Sequence, residues 1–232
     1  MNTRKILAMM AIAMISMVSF SSCKDDDDDN ASPSTSNKGS LMFVHTSPDA
    51  PGVDVLLNGN KLNQTNLEYA GFAGYFSVNP ATYNVKINPA GTSVSVIDAD
   101  ITVAAKTAYS VFAVDSVSNI SPLVLTDDLT TPAAGKAHVR FIHLSPDAPA
   151  VDVALAGGAV VFGNKSFKEF TAFTPLDAAT YNLEVRLAGT STVVLPLPNI
   201  SLTAGKIYTV YAKGFVSGAG TQALGAGLIV NN

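Results

Sequence analysis

Phe43-Val-His-Thr-Ser-Pro-Asp-Ala-Pro-Gly-Val-Asp-Val55 returns as Phe141-Ile-His-Leu-Ser-Pro-Asp-Ala-Pro-Ala-Val-Asp-Val153, 98 residues further along the 232-residue chain. The offset persists outward from this motif. Phe72 matches Phe170, Ala81-Thr-Tyr-Asn84 matches Ala179-Thr-Tyr-Asn182, and Ala90-Gly-Thr-Ser93 matches Ala188-Gly-Thr-Ser191. One insertion moves the offset to 99, where Tyr109-Ser-Val-Phe-Ala113 matches Tyr208-Thr-Val-Tyr-Ala212. Solenoid units run about 20–50 residues, so this period is too long for one. It is the size of a free-standing sandwich domain of about 100 residues.

Within each copy, short runs rich in Val, Ile, Thr, Tyr and Phe lie between turn signals, which points to strands. The first copy is expected to place strands at 41–46, 53–57, 82–87, 94–97, 108–114 and 123–125. The second is expected to place them at 137–144, 151–155, 181–187, 192–195, 207–212 and 228–230. No amphipathic helix of useful length is visible. The expected fold is all-β, with two tandem β-sandwich domains, immunoglobulin-like or prealbumin-like, at 41–130 and 137–232. The Pro- and Gly-containing stretch 126–136 is the expected joint.

The motif reads first as turn chemistry. Pro48 and Pro146 preset φ, and Asp49 and Asp147 can bond the backbone beyond. Strand alternation sends the valines of Val53-Asp54-Val55 to one face and Asp54 to the other, and puts His45 on the face of Phe43. His45 with Asp49 and Asp54, and His143 with Asp147 and Asp152, are also the residue types of a zinc site or an acid–base pair. Each set lacks a third strong ligand and a nucleophile with its base, and each occurs in both copies. The expectation is therefore a histidine that pins the turn, with no catalytic residue, no metal and no cofactor. The motif, and the 41–232 region around it, resembles the domain of unknown function 4397, a family of secreted and anchored bacterial proteins. That resemblance implies a β-sandwich module and leaves activity open.

The N-terminus speaks to location. Arg4 and Lys5 precede the uncharged run Ile6 to Phe20, and small residues follow, which is the pattern of a secretory signal peptide over 1–22. The apolar run is shorter than the roughly 20 residues a membrane span needs. Cys23 is the sole cysteine, so an internal disulfide is impossible. Phe20-Ser21-Ser22-Cys23 resembles the lipobox of bacterial lipoproteins, with Phe20 where Leu is usual. The resemblance implies a Cys23 acylated with chains such as palmitate, and two such chains hold a protein stably on a membrane. Lys24, Asp25, Asp26 and Asp27, continued to Asp29, resemble the surface-export signal of lipoproteins in the Bacteroidetes group. Residues 23–40 then form a lipidated acidic tether, and the expected location is the outer membrane, facing outward.

Loss of Arg4 and Lys5 with the leader takes the net charge from −4 to −6, and most of that charge lies in the acidic run. The body has no basic patch, which argues against nucleic acid as a partner. Tyr83 and Tyr181 are candidates for stacking on a sugar, though strand tyrosines more often fill the sandwich. Asp115-Ser116-Val117 resembles a short O-glycosylation motif of Bacteroidetes exported proteins. Residues 214–227 read as a flexible glycine-containing loop before the last strand. The functional expectation is a lipid-anchored binding or adhesion module without catalysis, with a glycan or protein as ligand. The alternatives are a structural component of the envelope and, with least support, a metal-dependent or hydrolytic enzyme.

Overall fold

The structure, a computed structural model, describes residues 37–232. The leader, Cys23 and the run Lys24, Asp25, Asp26, Asp27 to Asp29 lie outside the described residues. Eight strands come from the first copy: β1 (Gly39–His45), β2 (Val53–Leu57), β3 (Asn60–Lys61), β4 (Phe72–Val78), β5 (Ala81–Pro89), β6 (Ile97–Val103), β7 (Ala108–Val114) and β8 (Ser121–Asp127). Eight come from the second: β9 (Lys136–His143), β10 (Val151–Leu155), β11 (Val160–Lys165), β12 (Thr174–Asp177), β13 (Thr180–Leu187), β14 (Val193–Ser201), β15 (Ile207–Lys213) and β16 (Gly225–Val230). Only two single-turn 3₁₀ helices interrupt them among the described residues, so the all-β expectation holds.

Each copy is a sandwich of two four-stranded sheets. The first pairs the order β4-β1-β7-β8 with β3-β2-β5-β6, and the second repeats it as β12-β9-β15-β16 with β11-β10-β13-β14. β1 runs parallel to β7 and β9 parallel to β15; all other pairings between these strands are antiparallel. Leu41, Phe43, Val53, Val55, Val85, Ile87 and Val111 lie in the first core. Val139, Phe141, Val151, Val153, Val185 and Val210 lie in the second.

A third core joins the copies. Met42, Val44, Phe112, Val114 and Leu125 face away from the first sandwich and pack with Ile142, Leu144, Tyr211 and Ile229. The stack is thus four sheets deep, with β4-β1-β7-β8 and β12-β9-β15-β16 in the middle. The central parallel strands are buried on both faces, which is why they read as continuous apolar runs such as Leu41 to Val44 and Val111 to Val114. The described residues form one compact unit.

Several strands differ from the sequence expectation. β6 starts at Ile97, where the expected strand 94–97 ends. Asp98 and Asp100 alternate outward between buried Ile97, Ile101 and Val103. β14 continues to Ser201 through Pro196 and Pro198, because it is an edge strand and needs no donor on its free side. β3, β4, β11 and β12 were not expected. All four lie on sheet edges, where one-sided pairing weakens the hydrophobic pattern.

Candidate functional site

The repeated motif forms the corner by which the chain leaves one sheet for the other, β1 to β2 and β9 to β10. Both histidines are fully buried. His45 Nε2 lies 3.0 Å from the Pro51 carbonyl oxygen, and His143 Nε2 lies 3.1 Å from that of Pro149. A carbonyl only accepts, so Nε2 carries the proton and donates. Burial pushes both imidazoles below their ordinary value of 6.5, and both are neutral at pH 7. Neither Nδ1 has a partner.

The aspartates go elsewhere. Asp49 Oδ1 accepts the Val117 amide at 2.7 Å, and Asp147 Oδ1 accepts the Val216 amide at 2.9 Å. The partner is the β7–β8 or β15–β16 loop, far along the chain, and not the local turn. Asp54 Oδ2 accepts the Gly91 amide at 3.2 Å and Oδ1 meets Lys61 at 2.7 Å. Those contacts, Lys61 first, hold its carboxyl below the usual range. Asp152 accepts the Gly189 amide at 2.8 Å and the Asn164 amide at 2.6 Å. Gly91 and Gly189 have φ of +74° and +72°, the left-handed region that glycine enters without strain. One motif therefore ties three loops at one end of each sandwich. His45, Asp49 and Asp54 do not converge on a common point, nor do His143, Asp147 and Asp152. Among the described residues no group of three or more His, Cys, Asp or Glu side chains is placed to hold a metal ion.

The other candidates are similarly committed. Tyr83 and Tyr181 pack against the two cores, with hydroxyls donating to Asn79 and Asp177 carbonyls. They offer no stacking platform. Ser116 precedes a 3₁₀ turn without a side-chain capping bond, and its hydroxyl shares a hydrogen bond with that of Ser118.

Two features escaped the sequence reading. The first is a buried polar network between the copies. Arg140 is 2% exposed; its Nη1 donates to Asp127 Oδ1 at 2.6 Å, Nε to Thr209 Oγ1 at 2.8 Å and Nη2 to Ser110 Oγ at 3.1 Å. Tyr75 and Ser110 both donate to Asp127 Oδ2, and Phe173 lies under the guanidinium at 4.5 Å. The signal was Arg140 standing where the first copy has Met42, in the middle of an apolar strand.

The second is a cavity of about 510 Å³ at the motif end of the second sandwich. Val151, Val185, Leu187 and Leu195 form one wall, Ala212 and His143 another, and Val216, Ala223 and Leu224 the roof. The roof is the loop 214–224 between β15 and β16. Register pairs Val114 with Ser121 and Lys213 with Gly225, so this loop has eleven residues where the first copy has six, 115–120. In the first copy Val96 and Ile120 pack against the core. Their counterparts Val194 and Leu224 line the cavity instead. The glycine-containing loop was legible in the sequence; the space beneath it was not.

No curated protein matches the chain. Among solved structures, the N-terminal domain of AlgF from P. aeruginosa is similar at 14% identity and a TM-score of 0.29, over 39% of this chain and 96% of that one. The CBM26-family module CBMbc of Amy13K from Eubacterium rectale, solved with maltoheptaose, is similar at 11% identity and a TM-score of 0.28, over 75% of this chain and 92% of that one. The model of the family described as a domain of unknown function, DUF4397, matches residues 39–154, and the chain belongs to that family.

Proposed function

We propose that this is an exported, lipid-anchored cell-surface protein that binds a ligand without transforming it. The observation that carries the reading is the cavity at the motif end of the second sandwich, where the two copies depart from each other. Sites for small ligands are concave, largely apolar and few per protein. Each motif histidine and aspartate makes a hydrogen bond to the backbone, and the two sets do not converge, which supports binding over catalysis. Strand addition to a partner, as in an assembly subunit, has less support: Pro122, Pro175, Pro196 and Pro198 stand in the edge strands β8, β12 and β14, and a proline there cannot donate to an added strand.

The test has two parts. Residues 37–232 contain all sixteen strands and the three cores, so this body is the piece to use. It is incubated with a solvent extract of bacterial envelopes, washed and unfolded, and the released compounds are weighed. One class of compound, about one per chain and chemically unchanged, is expected. Recovery of nothing, or of reaction products, would contradict the reading. For the anchor, Cys23→Ala should move the full chain from the membrane to the soluble fraction; continued attachment would count against lipidation.

A further inference from the structure

The cavity states the chemistry of what it can hold. Its lining side chains are aliphatic apart from His143, and the His143 Nε2–H is already given to Pro149. No charged side chain reaches it. A sugar would bring hydroxyls that find few partners, and each unpaired buried polar group costs about 1–3 kcal/mol. A carboxylate or phosphate would be desolvated without a counter-charge. Hydrocarbon suffers neither penalty. The first copy shows which filler suits this place, because there the equivalent space takes the aliphatic side chain of Ile120 from the shorter loop. The volume of about 510 Å³ falls in the range of small-ligand sites. At the mouth Val194 and Val216 stay 36% and 53% exposed, an apolar lip that leaves a polar head free to remain in water.

We infer that the cavity of the second sandwich takes a single saturated hydrocarbon chain, carried by a free small amphiphile such as a fatty acid or fatty alcohol. This rests on the binding reading above and narrows it to one class of ligand. The five extra residues of the 214–224 loop are then the device that opens the site.

The test is calorimetric titration of the 37–232 body with octan-1-ol, decan-1-ol and decanoic acid below their aggregation limits, with a glucose oligomer in parallel. One molecule per chain should bind, the sugar should not, and affinity should rise about fourfold per added CH₂ until the cavity is full. Deleting Gly218–Gln222 gives the loop the length it has in the first copy and should weaken binding more than about tenfold. Val194→Trp, at an exposed position that leaves the core alone, should do the same while the unfolding midpoint stays put. Binding indifferent to chain length or to both variants would overturn the inference, as would binding only to phosphatidylcholine vesicles. If the envelope extract yields a ligand but no alcohol or acid binds, the inference falls and the binding reading stands. If the extract also yields nothing, both fall.

Discussion

At the scale of single residues, the two copies differ at their shared face. Arg140 occupies the place of Met42, and strand register puts Asp127 opposite Ala108 as the Asn231 amide is opposite Ile207. A buried pair broken on one side leaves an uncompensated charge, at a cost of about 3–5 kcal/mol. Asp127→Ala should therefore lower urea-unfolding stability by roughly that amount. The double change Arg140→Met with Asp127→Asn copies each residue from its counterpart and should restore most of it, since buried ion pairs are often no better than apolar packing. The two histidines lead to a pH effect. Their folded values lie below 6.5 because the charged form is desolvated, so as pH falls the unfolded chain takes up protons first. The stabilisation is complete above the unfolded value and is lost as pH drops through the folded values. Denaturation midpoints measured from about pH 7.5 to 5 should fall, and His45→Gln with His143→Gln should flatten that slope. The histidine–turn relation was readable from spacing alone, with carboxylate or backbone as partner, and the structure gives the Pro51 and Pro149 carbonyls. Arg140 carried a signal only when the copies were compared position by position, and Asp127 carried none, since it stood in the expected joint.

At the scale of elements, the corner motif explains why the same residues recur 98 positions apart. Each copy must turn from one sheet to the other and hold two distant loops against that turn. Asp152, which receives both the Gly189 and Asn164 amides, is the clearest case. Asp152→Ala should leave the β13–β14 turn and the β11 strand each without a tie, at a cost of about 1–3 kcal/mol. Hydrogen exchange at the Gly189 amide should speed up well before global unfolding, and unchanged protection there would argue against the tie. Central strands were legible because burial on one or both faces writes itself into hydrophobic pattern. β2, β7 and β10 match their expected spans residue for residue. Edge strands were read less fully, with β8 and β16 found in part and β3, β4, β11 and β12 missed, because half of their pairing surface faces water and tolerates Asp98, Asp100, Pro196 and Pro198.

At the scale of the whole molecule, the tandem copies share the face formed by equivalent positions: Val44 with Ile142, Phe112 with Tyr211, Leu125 with Ile229. Such use of one patch twice is the arrangement of an isologous dimer, here joined in one chain. The repeat predicted two sandwiches, and nothing in its spacing said that their sheets would stack, since apolar runs are equally compatible with a strand buried on one side. The first copy alone, residues 37–130, would leave Met42, Val44, Phe112, Val114 and Leu125 uncovered. It should self-associate in light scattering, while the 37–232 body stays monomeric at the same concentration. Against this near-symmetry, the cavity under loop 214–224 sets the motif end of the second sandwich apart from that of the first. Xenon probes it without any assumption about the natural ligand, because xenon settles in apolar cavities large enough to hold it. In crystals of the body under xenon pressure, density should appear among Val151, Val185, Leu187 and Leu195 and be missing at the Ile120 end of the first copy. No xenon in the second sandwich, or equal occupancy at both ends, would contradict the functional reading.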